Sequence, residues 1–561
     1  MQTSLNSEEK KYVIAAYLLL AAVYIAGLFV RLMNNDAGEY ALVALNMAQK
    51  NDFINIVRKG EDYLDKPHLL FWLSALSFKI FGVNGFAYKL PSLLFSVIAI
   101  YSTTRLGAIL FNNRTGIIAG LVLGYSQAFI IANYDVRTDA ILTGATAFAI
   151  YQFIRFSTNK KYIHIILGAL GVALAVGTKG MIAVIVTGLI VAIHLLYHKR
   201  FREIFSWQWL SSIVWFFIFL SPFLYCYYLQ FDAHPEKITN GVKGMSGVKF
   251  LLWTQSFERL AGQRNMVNNN DLLFFFHTFL WAFLPWSIIA YYETFKDWIM
   301  LARNRFKVLP NIEFALSGSA LLLMLLMSTS KFKLPHYLNI LFPIFAIITA
   351  KAILRYIQER RAFPQWIKIS LFVISGLYVL LGLLLNAWAF PVQTILLIIL
   401  AIVALIAVTA IILNLHAFPL KPVFITLLIV GVVNFFLNIN FFPKVLAYQG
   451  SSSLADYVNS NNIPREQISS FTSRRYYSFD FYIQKDTQEP DLEKITQKSA
   501  TNQSFYIITD KSKLQELKSA AISMHTIKTV PHFHVSRLGM RFINPATRKF
   551  SLDSVMLVKI N

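Results

Sequence analysis

The sequence has one cysteine in 561 residues, Cys226 inside an apolar run, so no intrachain disulfide and no thiolate metal cluster can form. Charge is scarce: 14% of the chain is charged and 56% is hydrophobic, which leaves too little polar surface to wrap a soluble body of this length. A soluble enzyme, a disordered chain and a disulfide scaffold are excluded. Acids are scarcest, with 29 Asp and Glu against 52 Lys and Arg and a net charge of +23. In a membrane protein such an excess reads as positive-inside loops and anionic-headgroup contacts, and nucleic acid is not expected as a partner. The chain also lacks a Walker loop, a dinucleotide fingerprint, an internal repeat and a low-complexity tract, which argues against an ATP-driven pump.

Long apolar runs are what it does have. A span takes about 20 mostly apolar residues. Runs near 12–30, 90–110, 116–133, 139–155, 162–177, 181–197, 209–229, 272–292, 311–328, 335–351, 368–389, 392–414 and 422–442 predict thirteen transmembrane helices. The first follows Lys10 and Lys11 and is as long as a full span, so it is expected to be a retained anchor with a cytoplasmic N-terminus. Residues 67–81 are apolar but short and carry Trp72, Ser74, Ser77 and Lys79, which suits a helix lying in the interface. With that choice the basic linkers at Arg155/Lys160/Lys161, Lys199/Arg200/Arg202, Lys296/Arg303/Arg305/Lys307 and Arg355/Arg360/Arg361 all face the cytoplasm. Residues 34–66, 134–139, 178–179, 231–271 and 328–336 then share the opposite, outer face. Beyond Phe442 the composition shifts to 16 Lys and Arg with 10 Asp and Glu and alternating runs such as 504–509 and 555–560. The expected fold is an α-helical polytopic membrane domain over 1–442, with interfacial helices in its first outer loop. A small soluble α/β domain over 443–561 follows on the outer face, joined by a linker at 449–453.

Ionisable groups at a membrane edge are costly and invite a functional reading. Residues 91–230 hold three acids, of which Glu203 sits in a basic loop and is ordinary. Asp135 and Asp139, in Tyr-Asp-Val-Arg-Thr-Asp, are four apart on one helical side. Asp139 reads as a working carboxylate or as a helix cap partnered by Arg137, and Asp135 as structural. Asp36 and Glu39, spaced i,i+3 after the first span, offer a general base or a solvated cap. Lys66, Lys179, Lys331 and Lys333 end apolar runs on the same outer face. One such lysine snorkels, whereas several converging with acids suggest a bound phosphate or pyrophosphate. His336 and His68 are candidate metal ligands without a second histidine at helical spacing, and Asp65 could hold a hard cation with Glu39 or His68. The 48 Phe and 26 Tyr fit lipid-facing packing and interfacial belts and call for no cofactor.

Five short motifs, in order, resemble those of the GT-C superfamily of polyprenyl-phosphate-dependent sugar transferases, in its aminoarabinose lipid A transferase (ArnT) and protein O-mannosyltransferase branch. The family's D-E-x-x-Y-A is similar to Asp36-Ala-Gly-Glu-Tyr-Ala41, with the second acid displaced to Glu39. Its E-K-P resembles Asp65-Lys66-Pro67, its next outer-loop Asp resembles Asp139, and its L-T-K-G resembles Gly177-Thr-Lys-Gly180. Its K-x-K-L-P-x-Y resembles Lys331 to Tyr337. The resemblance implies an inverting glycosyltransferase using a polyprenyl-phosphate sugar donor and an envelope acceptor, lipid A or a glycoprotein, at the periplasmic face of a bacterial inner membrane. It implies Asp36 as base, with Asp139 and Glu39 beside it. Lys66, Lys179, Lys331, Lys333 and Tyr337 would bind the lipid phosphate, with Arg58 and Arg259 secondary. The aminoarabinose enzymes place a His before a Q-R-F triplet to join the acid of E-K-P at a divalent metal. Here 256–260 keeps Arg259 but has no His, so a metal is expected at Asp65 alone of that pair and any other cofactor is unknown. The competing readings are protein O-glycosylation and a lipid-linked oligosaccharide flippase. A flippase should carry charge along both leaflets, and the unusual acids are expected at one face only.

Overall fold

A computed structural model of the chain describes residues 5–255, 270–360, 363–414, 419–501 and 503–561. Each predicted span coincides with a helix or with a pair of helices in series. Among the described residues six are long and apolar enough to cross a membrane in one piece, and Asn113–Gly124 with Gln127–Tyr134 is an apolar pair bent by 58°, as in a broken span or a re-entrant loop. Others are shorter apolar helices, among them Ile163–Lys179, Ile182–Tyr197 and Phe314–Ser328. The run at 272–292 is interrupted: Phe274–Ala282 and Ser287–Arg303 are separate helices.

The helices that place the site are α1 (Ser7–Leu28), α2 (Asp36–Lys50), α3 (Leu69–Phe81), α4 (Gly85–Leu110), α5 (Asn113–Gly124), α6 (Gln127–Tyr134), α7 (Asp139–Asn159), α8 (Ile163–Lys179) and α9 (Ile182–Tyr197). An Asn6–Glu9 capping box starts α1, and Asn35 caps α2 by accepting from the Ala37 N–H at 2.9 Å. As expected from its length, α3 is a 13-residue helix, too short for a full span. The central helix α7 is buried along nearly its whole length between α4 and α8. Close approach there needs glycine: a Cβ on Gly144 would lie 2.2 Å from the Phe95 carbonyl oxygen. At the end of α8, Gly180 adopts φ 84°, which lets the chain reverse into α9 within three residues.

Two small hairpins, β1/β2 (Val57–Arg58, Glu61–Asp62) and β3/β4 (Ile238–Thr239, Val242–Lys243), decorate the loops at the cavity end. The C-terminal segment forms a four-stranded sheet of order β5-β6-β8-β7 (Ile468–Phe471, Phe505–Asp510, Asp553–Ile560, Met524–His532). Strand β5 runs parallel to β6 and the other pairs are antiparallel, so the α/β expectation holds. The expected linker at 449–453 is not one. Gly450–Ser460 is a helix whose first residues are buried, and Gln449 bonds back to the Leu32 carbonyl at 2.9 Å.

That helix begins a broad clamp on the segment 31–59. Arg31 pairs with Asp456 at 2.6 Å, Ser478 N–H donates to Asn34 Oδ1 at 3.1 Å, and Asn46 donates to Asp486 at 2.7 Å. Lys59 is driven between Asp480 and Thr487, with Asp486 and Glu489 each 3.6 Å away. Burial pushes the Asp480 carboxyl up to about 6 despite Lys59 beside it.

Candidate active site

A polar cavity of about 150 Å³ opens where α2, the 65–66 turn, the start of α7, the end of α8 and the 332–337 segment meet. Its walls include Asp36, Glu39, Tyr40, Asp65, Lys66, Arg137, Asp139, Lys179, His336 and Tyr337. Residues spread over 300 positions of sequence are brought together because each ends or begins an apolar helix at the same membrane edge.

Asp139 forms the floor, its side chain 4% exposed. Lys179 Nζ donates to its Oδ1 at 2.6 Å, while Oδ2 has no hydrogen-bond partner and faces His336 Nε2 at 3.8 Å. The Lys179 ammonium also sits 4.1 Å from the centre of the Tyr337 ring. Asp36 lies at the rim, 41% exposed, and accepts from Arg137 Nη1 at 3.1 Å. Arg137 donates its other arm to Asp135 at 3.1 Å, and Asn35 bonds the same Asp135 at 3.0 Å, which fits the structural role expected for that acid.

Glu39 is tied to Arg58, and burial still pushes its carboxyl above the ordinary value with Arg58 opposing. Arg58 also stacks 5.0 Å over Tyr63, so it acts behind Glu39 and does not line the cavity itself. Lys66 is paired with Asp65 and lies 5.9 Å over Tyr40, whose hydroxyl is held protonated by burial. Of the expected lysines, Lys333 bonds the Asp271 carbonyl at 2.7 Å and Lys331 is exposed, and neither is on the cavity wall. Arg259 and the 256–260 motif lie outside the described residues. Tyr40, Arg137 and His336 also line the cavity, although the sequence pointed to Arg137 only as a partner of Asp139, to His336 only as a metal ligand and to Tyr40 only within a motif. Their signal is adjacency, since each falls inside or beside a quoted motif.

Asp65 carries the Lys66 ammonium and the Tyr63 hydroxyl at 3.4 Å, and Glu39 is taken by Arg58. His68 is turned the other way, with Nε2 on the Ile54 carbonyl at 2.9 Å, and burial lowers its pKa to about 4. Asp65 and Glu39 thus face the same cavity, each paired with a cation of the chain, and His68 does not join them. The one group among the described residues that could hold a metal ion is elsewhere: His194, His198 and Glu313, at the opposite ends of the helices. Its His-x-x-x-His spacing stands in the sequence at 194–198, against the reading that such a pair is lacking.

Beside the cavity runs an apolar groove of about 100 Å³, walled by Leu142, Ile182, Ile185, Phe275, Met327 and Ile340. Lys179, Phe332 and Tyr337 belong to both, so the polar cavity and the groove meet at those three side chains.

Residues 65–226 match the family model described as dolichyl-phosphate-mannose-protein mannosyltransferase. An undecaprenyl phosphate-alpha-4-amino-4-deoxy-L-arabinose arabinosyl transferase of Yersinia enterocolitica is 25% identical over 57% of this chain and 55% of its own length. An uncharacterised Aquifex aeolicus protein is 24% identical over 64% of this chain and 67% of its own. The matched region thus spans about half the length of the named curated relative. Among solved structures, ArnT from Cupriavidus metallidurans bound to undecaprenyl phosphate superposes with a TM-score of 0.72 at 15% identity, covering 98% of both chains. The Archaeoglobus fulgidus oligosaccharyltransferase gives 0.54 at 12% identity, covering 96% of this chain and 72% of the other. Motif order, family-model match and superposition agree: the chain is similar to these transferases over part of its sequence, carries several helices long and apolar enough to cross a membrane, and has a fold like that of ArnT.

Proposed function

We propose that this protein transfers a sugar from an undecaprenyl-type phosphate to an acceptor of the cell envelope, in the first place lipid A or a related lipopolysaccharide. The observation that carries the reading is the junction of a charged cavity with an apolar groove at Lys179, Phe332 and Tyr337. A ligand with an anionic head and a prenyl tail matches that junction in both halves. The undecaprenyl phosphate bound by the structurally similar ArnT supports the same donor class.

In this scheme the acceptor oxygen attacks the anomeric carbon from the face opposite the lipid phosphate. The carbon–oxygen bond to that phosphate breaks, its electron pair leaves with the phosphate, and the configuration inverts. Lys66 and Lys179 stabilise the departing charge, which needs no general acid because a phosphate leaves as a weak base. Asp139 holds Lys179 toward the groove. Asp36, at the open rim, takes the proton when the acceptor is a hydroxyl and positions the acceptor when it is an already ionised phosphate. The cavity and the C-terminal domain would face the periplasm, consistent with the basic linkers at the other helix ends.

Mass spectrometry of lipid A and of envelope glycopeptides from cells carrying wild type or Asp36→Asn at equal expression tests the reading. A sugar-sized mass lost from lipid A supports it. The same loss from glycopeptides would support protein O-glycosylation, the reading that the mannosyltransferase family match favours. No change in either fraction would refute both.

A further inference from the structure

We propose that His194, His198 and Glu313 form a zinc site at the end of the helix bundle opposite the cavity, independent of the transfer chemistry. The two histidines lie four apart near the end of α9, on one face of that helix, and Glu313 caps the start of the helix Phe314–Ser328. Their ligand atoms lie within 4.8 Å of one another. Glu313 Oε2 is 2.8 Å from His198 Nε2, and Oε1 is 3.4 Å from His194 Nδ1. A tetrahedral ion with bonds of about 2.1 Å sets its ligands about 3.4 Å apart, so little movement is needed to close round one.

The hydrogen bonds favour an ion over a simple contact. Ser157 Oγ donates to the Ile154 carbonyl at 2.8 Å, which leaves its oxygen to accept from His194 Nε2–H at 3.2 Å. That fixes the tautomer and leaves the Nδ1 lone pair facing a carboxylate, in a place where Nδ1 is buried without a hydrogen-bond partner. His194 Nδ1 and the Glu313 carboxylate, 5% and 6% exposed as residues, face each other, and Glu313 Oε1 also accepts from the Ala315 N–H at 3.2 Å, so a metal ion or a proton must lie between them. A fixed second nitrogen is the arrangement that metal-bound histidines share. Half-buried His198 leaves the fourth position open to water.

The consequence reaches the groove. Helices α9 and Phe314–Ser328 pack against each other, and their far ends supply Ile182, Ile185 and Met327 to its walls. An ion at Glu313 would pin these two helices together roughly 20 Å from Lys179, given 1.5 Å of rise per residue.

The test is zinc content of the full-length protein in detergent after equilibration with Zn²⁺ and desalting. Wild type should retain one equivalent that His198→Ala and Glu313→Gln lose. His525→Ala, on the exposed face of β7, should keep it. Ser157→Ala should weaken zinc binding by about 10- to 100-fold, as loss of an orienting partner does. Zinc should raise the melting temperature of wild type and not of His198→Ala, which keeps the result readable if a variant is less stable. Equal zinc in wild type and His198→Ala, or none retained by wild type, would overturn the proposal and leave a histidine–glutamate ion pair.

Discussion

Replacing Lys59 by Met should loosen the C-terminal domain from the loop that carries Asp36 and Glu39. The Lys59 and Asp480 side chains are 6% and 1% exposed, so the substitution strands a carboxylate in a closed interface with Thr487 as its nearest partner. Breaking a buried pair from one side costs about 3–5 kcal/mol. The pH dependence has a definite sign. Asp480 has its pKa raised to about 6 in the fold, above the unfolded value, so its protonated form is the one the interface tolerates. Without Lys59 its pKa rises further. The penalty is therefore largest above pH 7 and shrinks as pH falls, by about 1.4 kcal/mol per unit while the carboxyl titrates. Hydrogen exchange of 36–50 and 476–490 in detergent, at pH 7.5 and pH 5.5, reads the loss locally, and melting reads it globally. Lys59→Met with Asp480→Leu should recover most of it, since the stranded charge is gone. A single variant within about 1 kcal/mol of wild type at pH 7.5, or a double variant no better than the single, would refute this account.

Asp139→Asn should lower transfer by about a hundredfold or more, because Lys179 loses the 2.6 Å bond that aims it, and single-turnover assays with saturating donor would detect this. Asp36→Asn separates two roles: a loss of about 10²- to 10⁴-fold marks a base, and a smaller one marks positioning. His532, buried against Tyr476 with Asp553, His534, Arg474 and Asp510 near it, has its pKa lowered to about 4. Acid therefore favours unfolding through it, by about 2 kcal/mol at pH 5 relative to neutral pH, and His532→Gln should flatten that part of the melting profile. Gly144→Leu should prevent correct packing of α4 on α7 and reduce the yield of folded protein in fluorescence-detected size exclusion, because its Cβ would meet the Phe95 carbonyl at 2.2 Å.

The helices were legible because the apolar runs are interrupted by charged or polar turns, and the short α3 could be told from a span by its length and by Lys79. Seven of the expected residues, Asp36, Glu39, Asp65, Lys66, Asp139, Lys179 and Tyr337, line one cavity, since a charge at the end of an apolar helix has few places to go. What could not be read is which lysine faces inward. Lys331 and Lys333 sit in the same motif as Tyr337, yet it is the alternate residues Phe332 and Leu334 that line the cavity. The clamp of the C-terminal domain was equally hidden, because Lys59 and Asp480 are 421 residues apart and each alone looks like an ordinary surface charge. Gln449 to Ser453 looked like a linker by composition, whereas small polar residues there pack under Leu32 and beside Ser478.

One expectation about charge needs a different argument from the one the sequence offered. Acids do not gather at one membrane face alone. Glu9 with Arg114, Asp297 with Lys351 at 2.6 Å, and Glu293 with Arg355 at 2.6 Å are buried toward the other end of the helices. Each is a closed pair within helix packing, with Tyr356 as a third partner for Glu293, and none of these groups lines the charged cavity. A transport path needs charges that face a passage and can exchange partners as the cargo moves. Here the partially exposed acid, Asp36 at the rim, and the incompletely bonded one, Asp139 with Oδ2 lacking a hydrogen-bond partner, both line the charged cavity that adjoins the apolar groove. The distinction between a transferase and a flippase therefore rests on which carboxylates have a free valence toward a cavity, not on which leaflet holds more of them.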